Sequence, residues 1–361
     1  MSFFSSKSGD LIGVDIGSTS IKLVQLSRSR SGFELMTMAE VPLPRDAIVE
    51  NTIIDSAAIS DALAEALRRA RPSTKNAALA VSGNAVIIKS FKMPLTTEFE
   101  LEAQIEYEAD QYVPYDIDDV FLDFHIQGIS ADDPEQMDVV LVACKREVVE
   151  DYQQVLNEAG LHVKCMDCDV FALENAAEIT DEHTAAVIGS EYSLPDEDAE
   201  VNALINIGAN MININVLIDG RSAFVRDQFY GGQNLTEEIQ KEHNISYQAA
   251  EQLKIENFED IYPNALERFY IDLTSELVRS LDFYGDRGSE FPVRKLYLSG
   301  GCALLPNIAT ELEQRLGIDT GVLNPFDNIT IPPGKFDAES LKKIGPMMMV
   351  PVGLALRNFD K

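Results

Sequence analysis

Asp15, Gly17, Ser18, Thr19 and Lys22 lie close together in the run GVDIGSTSIKLVQL over residues 13–26. A tip with no Cβ at Gly17 and small hydroxyl residues beside it lets main-chain N–H groups converge on an anion, and phosphate is the natural guest. Asp15, at the end of an apolar strand, would aim a carboxylate at the same spot, where a magnesium ion or its waters would neutralise it. Lys22 would supply a positive charge for the phosphates. A second run, ALINIGANMININVLIDG over 203–220, restates the pattern, with Asn206 in the place of Asp15 and an Ile-Gly step at Gly208. Two glycine pairs follow. Gly231-Gly232 precedes LTEEIQKEH, a helix start that would offer N–H groups to a phosphate or ribose, and Gly300-Gly301 follows the apolar strand 295–298, where bare backbone can approach a flat ring. Each loop alone also suits a plain turn. Four in this order describe a nucleotide cleft built from one unit used twice.

The elements that would position these loops alternate between strand and helix patterns, which predicts an α/β protein. Strands near 12–15 and 20–26 form a hairpin. A helix over 57–70 has Ile59, Leu63, Ala66 and Leu67 on its apolar face, with Asp55-Ser56 at its start and Arg68, Arg69 and Arg71 at its end. Strands are predicted over 76–81 and 85–93. A capping box at Thr97 to Glu100 opens a helix running to about Tyr112, ahead of Pro114. A buried strand over 139–143 and a helix over 146–159, closed by Gly160, come next. A helix over 306–316 follows the last glycine pair. The acidic stretch GSEYSLPDEDAE, 189–200, reads as a solvated loop and as the boundary between lobes.

Composition sets limits on partners. With 29 Lys plus Arg against 60 Asp plus Glu, the formal net charge is −31, which repels a phosphate-backbone polymer, so nucleic acid is not an expected partner. No apolar run approaches a membrane span and the first residues lack a signal-peptide core, so a cytoplasmic location is expected. The four cysteines do not make a disulfide framework. Cys165 and Cys168 sit in VKCMDCDVFALEN, a short strand leading into a helix with no second Cys or His pair at zinc spacing, and read as structural. His125, His162, His183 and His243 have no metal-ligand spacing among them, and Met347 to Met349 reads as core filling. Phe3 and Phe4 read as part of a frayed terminus.

Over nearly its whole length the chain resembles the actin, Hsp70 and sugar-kinase superfamily. DIGSTSIK is similar to its first phosphate loop, NIGANMININV to the second and LSGGCALLPNI to the adenosine segment. GGQNLTEEI, together with the stretch from Ala250 to Lys254, resembles the segment that in bacterial actins grips phosphate and ribose. The segments YEADQYVPYDIDDVFLDFHIQG, LVACKREVVEDYQQVLNEAGL and MDCDVFALENA narrow the likeness to the PilM family of actin-like cytoplasmic proteins of type IV pilus assembly. That resemblance implies a ribonuclease H-like, two-lobed fold. The first lobe would span 1–190 with an FtsA-like inserted subdomain at about 83–161, and the second 191–361, returning to the first near 340–361. It implies ATP and Mg as ligands, with Asp15 at the metal and Glu251 and Lys254 at the sugar or base. It also implies the cytoplasmic tail of a PilN-type inner-membrane protein as partner, with the pilus motor ATPases and further copies of the chain as others. The chain would then sit peripherally at the inner membrane.

The second loop departs from the superfamily by carrying Asn206 where Asp is usual. An amide oxygen can coordinate, but a neutral amide is neither a charged metal partner nor a proton acceptor, so binding of ATP is expected ahead of rapid turnover. The only candidate for water activation is Glu147, beside Lys145 at the head of the 146–159 helix, where an acid also suits a first helical turn. A filament-forming division protein and a small-molecule kinase remain as alternatives within the superfamily.

Overall fold

The computed structural model describes residues 11–29, 32–130, 133–180, 199–286 and 291–359. Phe3, Phe4 and all but the last two residues of the 189–200 loop lie outside that set. The first lobe opens with β1 (Ile12–Ile16), β2 (Ser20–Ser29) and β3 (Gly32–Pro42), the ribbon β4 (Ile48–Val49) and β5 (Thr52–Ile53), helix α1 (Ser56–Ala70) and β6 (Asn76–Val81). There follow β7 (Val86–Pro94), α2 (Glu98–Glu102), α3 (Ile105–Ala109), β8 (Val120–Ile129), β9 (Gln136–Lys145), α4 (Arg146–Glu158), β10 (His162–Cys168) and α5 (Asp169–Glu178). The second lobe holds β11 (Val201–Ile207), β12 (Ile212–Ile218), β13 (Arg221–Gln228), α6 (Gly232–His243), α7 (Tyr247–Glu256), α8 (Pro263–Asp286), β14 (Lys295–Ser299), α9 (Ile308–Leu316) and β15 (Asp319–Val322). Helices α10 (Ala338–Ile344) and α11 (Met349–Leu356) end the described chain.

Two five-stranded sheets have the same construction. The first runs β3-β2-β1-β6-β10 and the second β13-β12-β11-β14-β15. In each, two hairpin-linked strands pair antiparallel on one side of the first strand and two strands pair parallel on the other. The repeat read in the sequence is thus a repeat of topology. The strands that carry the glycine loops are covered on both faces, which explains their nearly unbroken apolar runs: Ile12, Val14, Ile205 and Ile207 are fully buried. Helix α1 forms where expected, with the Asp55 carboxylate accepting from Ala58 N at 3.0 Å and Arg71 closing it in the left-handed region at φ 49°.

The inserted sheet, ordered β7-β9-β8, has its own core of Met93, Leu101, Ile105, Val139 and Leu141. The capping box at Thr97 and Glu100 is present, but the helix expected to run to about Tyr112 is broken into α2 and α3. At the break the chain tightens, Gln104 N donating to Leu101 O at 2.9 Å, while Leu101 and Ile105 both stay buried. Helix α4 falls inside the expected insertion of about 83–161 yet packs Val149, Tyr152, Val155 and Leu156 into the first-lobe core with Ile59 and Leu63. Its apolar face therefore places it with the lobe, and the inserted sheet ends at Lys145. The connection from the first sheet toward the second lobe is α5.

Helix α11 returns to the first lobe and lies on β1, where a Cβ at Gly13 would meet Pro351 O at 2.0 Å. It crosses α5 so closely that a Cβ at Gly353 would stand 1.7 Å from Ala172 O. Met348 and Met349 are buried at the base shared by both sheets, with Val24, Leu204 and Leu217.

Candidate nucleotide cleft

The two hairpins face each other across the gap between the sheets. Each has the same tip: Gly17 N donates to Ser20 O at 3.1 Å, and Gly208 N donates to Met211 O at 2.8 Å. Each also has a polar cross-strand pair just below the tip, Asp15 opposite Lys22 and Asn206 opposite Asn213. In the first, Lys22 Nζ lies 2.9 Å from Asp15 Oδ2 with both side chains largely buried. Burial opposes the Lys22 ammonium, but the charge and hydrogen bond of Asp15, helped by Glu40 and Asp169, outweigh it and hold the lysine above its ordinary pKa. In the second, Asn206 Nδ2 donates to Asn213 Oδ1 at 2.9 Å. The duplicated position is charged in one lobe and neutral in the other.

Between the loops lies a cavity of about 1390 Å³. Its walls include Asp15, Gly17, Ser18, Thr19 and Lys22 from the first lobe, and Asn206, Gly208, Gly232, Glu251, Lys254, Gly300 and Gly301 from the second. Gly231 does not line it. That glycine instead lets the start of α6 abut the second hairpin, since a Cβ there would meet Gly208 O at 2.5 Å and Ala209 O at 2.6 Å. Lys254 Nζ sits 2.7 Å from Glu251 Oε2 and donates to Gly232 O at 3.0 Å, so the helical i,i+3 pair faces the cleft. Gly300 adopts φ 86°, and a Cβ on it would strike Asn206 Oδ1 at 2.5 Å. Glu147 is not brought to the site. Its side chain is 74% exposed, 3.7 Å from Lys145 Nζ, and absent from the cavity wall because α4 turns its first residues to solvent.

The acid that the structure does bring in is Asp169, at the first turn of α5 and on the cleft wall. Desolvation is the main force raising its pKa, with the Asp15, Asp227 and Asp167 charges adding and a hydrogen bond with Ser82 opposing. The local signal was an acid at a strand-to-helix junction in MDCDVFALEN, the same placement as Asp15 at a strand end. Asn51 also reaches the cleft, donating to Ser82 Oγ at 3.0 Å, and the Arg45 guanidinium lies 4.1 Å from the Tyr247 ring centre, joining the two lobes at the mouth.

The residues fit a magnesium nucleotide. Glycine tips and Lys22 suit phosphates, Glu251 and Lys254 suit a sugar or base, and Asn210 Oδ1 in the wall is buried without a partner. Among the described residues no group of three or more His, Cys, Asp or Glu side chains is arranged to hold a metal alone. Magnesium does not need one, because it keeps waters and takes phosphate oxygens with one or two carboxylates, and Asp15 and Asp169 are the wall carboxylates that would be available to it.

A second cavity of about 420 Å³ opens where β7 of the insertion meets the first lobe and β13. Ser82, Gly83, Lys89, Tyr112, Asp169 and Asp227 are on its walls. Ser82 and Asp169 border both cavities.

At the base of the lobes Glu174 of α5 accepts from Asn215 Nδ2 at 3.0 Å. Burial, opposed by that hydrogen bond and by Arg357, raises its pKa from the ordinary 4.5 to about 7. The folded state then binds a proton that the unfolded chain has released. This contribution to stability is complete below the unfolded value and fades as pH rises through about 7. Glu174→Gln keeps an acceptor for Asn215. In denaturant melts of the unliganded protein it is expected to remove a slope of up to about 1.4 kcal/mol per pH unit between roughly pH 5 and 7 and to leave the variant more stable than the parent at pH 8. An unchanged slope would exclude Glu174 as its source.

Among the described residues no helix is long and apolar enough to cross a membrane. The family described as "Type IV pilus assembly protein PilM" matches residues 13–359. A solved PilM-PilN type IV pilus biogenesis complex contains a chain 29% identical to this one, with 98% of this chain and 100% of that one covered and a TM-score of 0.84. Ethanolamine utilization protein EutJ from Carboxydothermus hydrogenoformans is 15% identical over 96% of this chain and 89% of its own, with a TM-score of 0.57, a likeness of fold. The duplicated sheets, the inserted subdomain and a match over almost the full length lead to one conclusion: the fold is actin-like, and the chain belongs to the PilM family of type IV pilus assembly proteins.

Proposed function

We propose that this protein is a nucleotide-dependent adaptor of type IV pilus assembly. MgATP bridges the two lobes, and the cavity beside the inserted sheet takes the N-terminal cytoplasmic tail of a PilN-type inner-membrane protein, which holds the chain at that membrane and links it to the pilus machinery. The observation that carries this reading is the pair of matched glycine hairpins facing one cleft with a lysine on each side, Lys22 and Lys254. The solved PilM-PilN complex supports the choice of partner. The smaller cavity supports the place, since Tyr112 and Pro114 of the YVPYDIDDV stretch line it and Val225 to Asp227 add a wall from the second lobe. A change in lobe spacing would therefore reshape it.

Bound Mg would neutralise phosphate charge and order water beside it. Of the chain's own groups on the cleft wall, Asp169 would be the proton acceptor, because Glu147 lies outside it. Turnover is expected to be slow, because the second loop offers the neutral Asn206. The adaptor reading is tested with a fluorescent synthetic peptide carrying a PilN-type N-terminal segment, titrated with and without MgATP. Saturable binding, at least about fivefold different between the two states, a coupling of about 1 kcal/mol, is expected. Absence of binding in both states would remove the reading.

A further inference from the structure

The second hairpin contains a hydrogen-bonded chain that runs out of the cleft. Asn206 Nδ2 donates to Asn213 Oδ1 at 2.9 Å, Asn213 Nδ2 donates to Asp227 Oδ1 at 2.8 Å, and Gly83 N donates to Asp227 Oδ2 at 2.8 Å. It begins at the loop lining the cleft and ends at the root of the inserted sheet, since Gly83 opens the turn Gly83–Ala85 that leads into β7 and lines the smaller cavity with Asp227. Asn213 is 2% exposed, so its amide is satisfied by protein partners.

The direction of every donor is fixed by chemistry. Both Asp227 oxygens accept, one from a backbone N–H, so Asn213 must turn its NH₂ toward Asp227 and its oxygen toward position 206. Position 206 must then donate. An amide does this while leaving its own oxygen for the cleft; a carboxylate does not. The first lobe solves the same cross-strand position with an ion pair, Asp15 and Lys22, whereas here Asn213 stands where Lys22 stands there.

We propose that Asn206, Asn213 and Asp227 form a polarity-fixed relay through which the contents of the nucleotide cleft position Gly83 and hence the inserted sheet's cavity. Asn206 is then a positioning residue, and the amide is required there. The inference rests on the reading of a nucleotide in the cleft and a tail peptide in the smaller cavity. At Gly83 the backbone is held on both sides, because φ is 70° and a Cβ would meet Asn51 Nδ2 at 2.5 Å. A shift of Asp227 thus reaches a segment with little freedom of its own.

The relay predicts an exchange of ends. In Asn206→Asp the carboxylate can only accept, so Asn213 turns its NH₂ inward and presents its oxygen to Asp227. In Asp227→Asn the chain reverses and points the Asn206 NH₂ at the phosphates. Combining the two restores a consistent chain: Asn at 227 accepts from Gly83 N and donates to Asn213, which donates to Asp at 206. The test uses the full-length protein, the parent and three variants. MgATP is titrated directly first, and the labelled PilN-type peptide is then titrated with and without it. The expected result is a nucleotide effect on peptide affinity of at least about fivefold in the parent, below about twofold in each single variant, and back to at least half its logarithm in the double variant. Thermal midpoints of the unliganded proteins should fall in Asn206→Asp, where the Asn213 oxygen faces the Asp227 carboxylate, and recover in the double variant. Unchanged coupling in the singles, strictly additive losses in the double variant, or a parent that binds both ligands without mutual effect would overturn the relay. A parent that binds no MgATP overturns the nucleotide reading and the coupling with it, a result the first titration isolates.

Discussion

Replacing Gly353 with alanine is expected to lower stability by about 3 kcal/mol or more, a large share of the roughly 5–15 kcal/mol by which domains are folded. The added methyl would lie 1.7 Å from Ala172 O and 2.5 Å from Ala172 C, so the obstacle is main chain and no rotamer change relieves it. Helices α5 and α11 would have to separate. These are the two helices at the base of the cleft, and α11 also lies on β1 through Gly13. The added volume therefore strains both the lobe junction and the strand that ends in Asp15. Gly285→Ala is the internal comparison: it is helical, a Cβ there meets nothing within 4 Å, and the better helix propensity of alanine predicts a gain of about 0.5–1 kcal/mol. Chemical denaturation of the two variants beside the parent measures both. A Gly353→Ala protein as stable as the parent would mean that the helices are not in the contact described.

Gly301 has the opposite surroundings. It lines the cleft, and a Cβ built on it meets nothing within 4 Å. Gly301→Val should therefore fold as the parent does, with a thermal midpoint within about 2 °C, a shift of at most about 1 kcal/mol for a protein of this size. Its branched side chain would fill space reserved, on the proposed reading, for the nucleoside. The expected loss of MgATP affinity is on the order of 100-fold, or about 2.7 kcal/mol. A side chain at 231 would displace the second hairpin itself, so a loss of binding there would not separate blocking from misfolding.

Much of this architecture was legible in the residues. The restated hairpin, Asp15 and Asn206 at matching strand ends, and glycine pairs after apolar strands gave the order of the cleft, because close backbone approach restricts residue type locally. The boundary of the insertion was not legible. Helix α4 is amphipathic by its own period, but periodicity does not say against which core its apolar face lies. For the same reason Glu147 read as a candidate and Asp169 did not: both are acids at helix starts, and only the packing of α4 and α5 turns one to solvent and the other into the cleft. The Asn213 and Asp227 relay was hidden because strand pairing across two hairpins brings its members together. The counterpart of the Asp15–Lys22 pair could nonetheless have been sought at Asn206 and Asn213, seven residues apart in both lobes.

On the proposed reading, the cleft between the two hairpins holds a magnesium nucleotide. Equilibrium titration of a fluorescent ATP analogue with Mg into the parent and into Gly301→Val tests it most directly. Saturable one-site binding to the parent, competed by ATP and weakened on the order of 100-fold in a normally folded variant, is the predicted result. Equal affinity of the two proteins, or no binding to the parent, would contradict it.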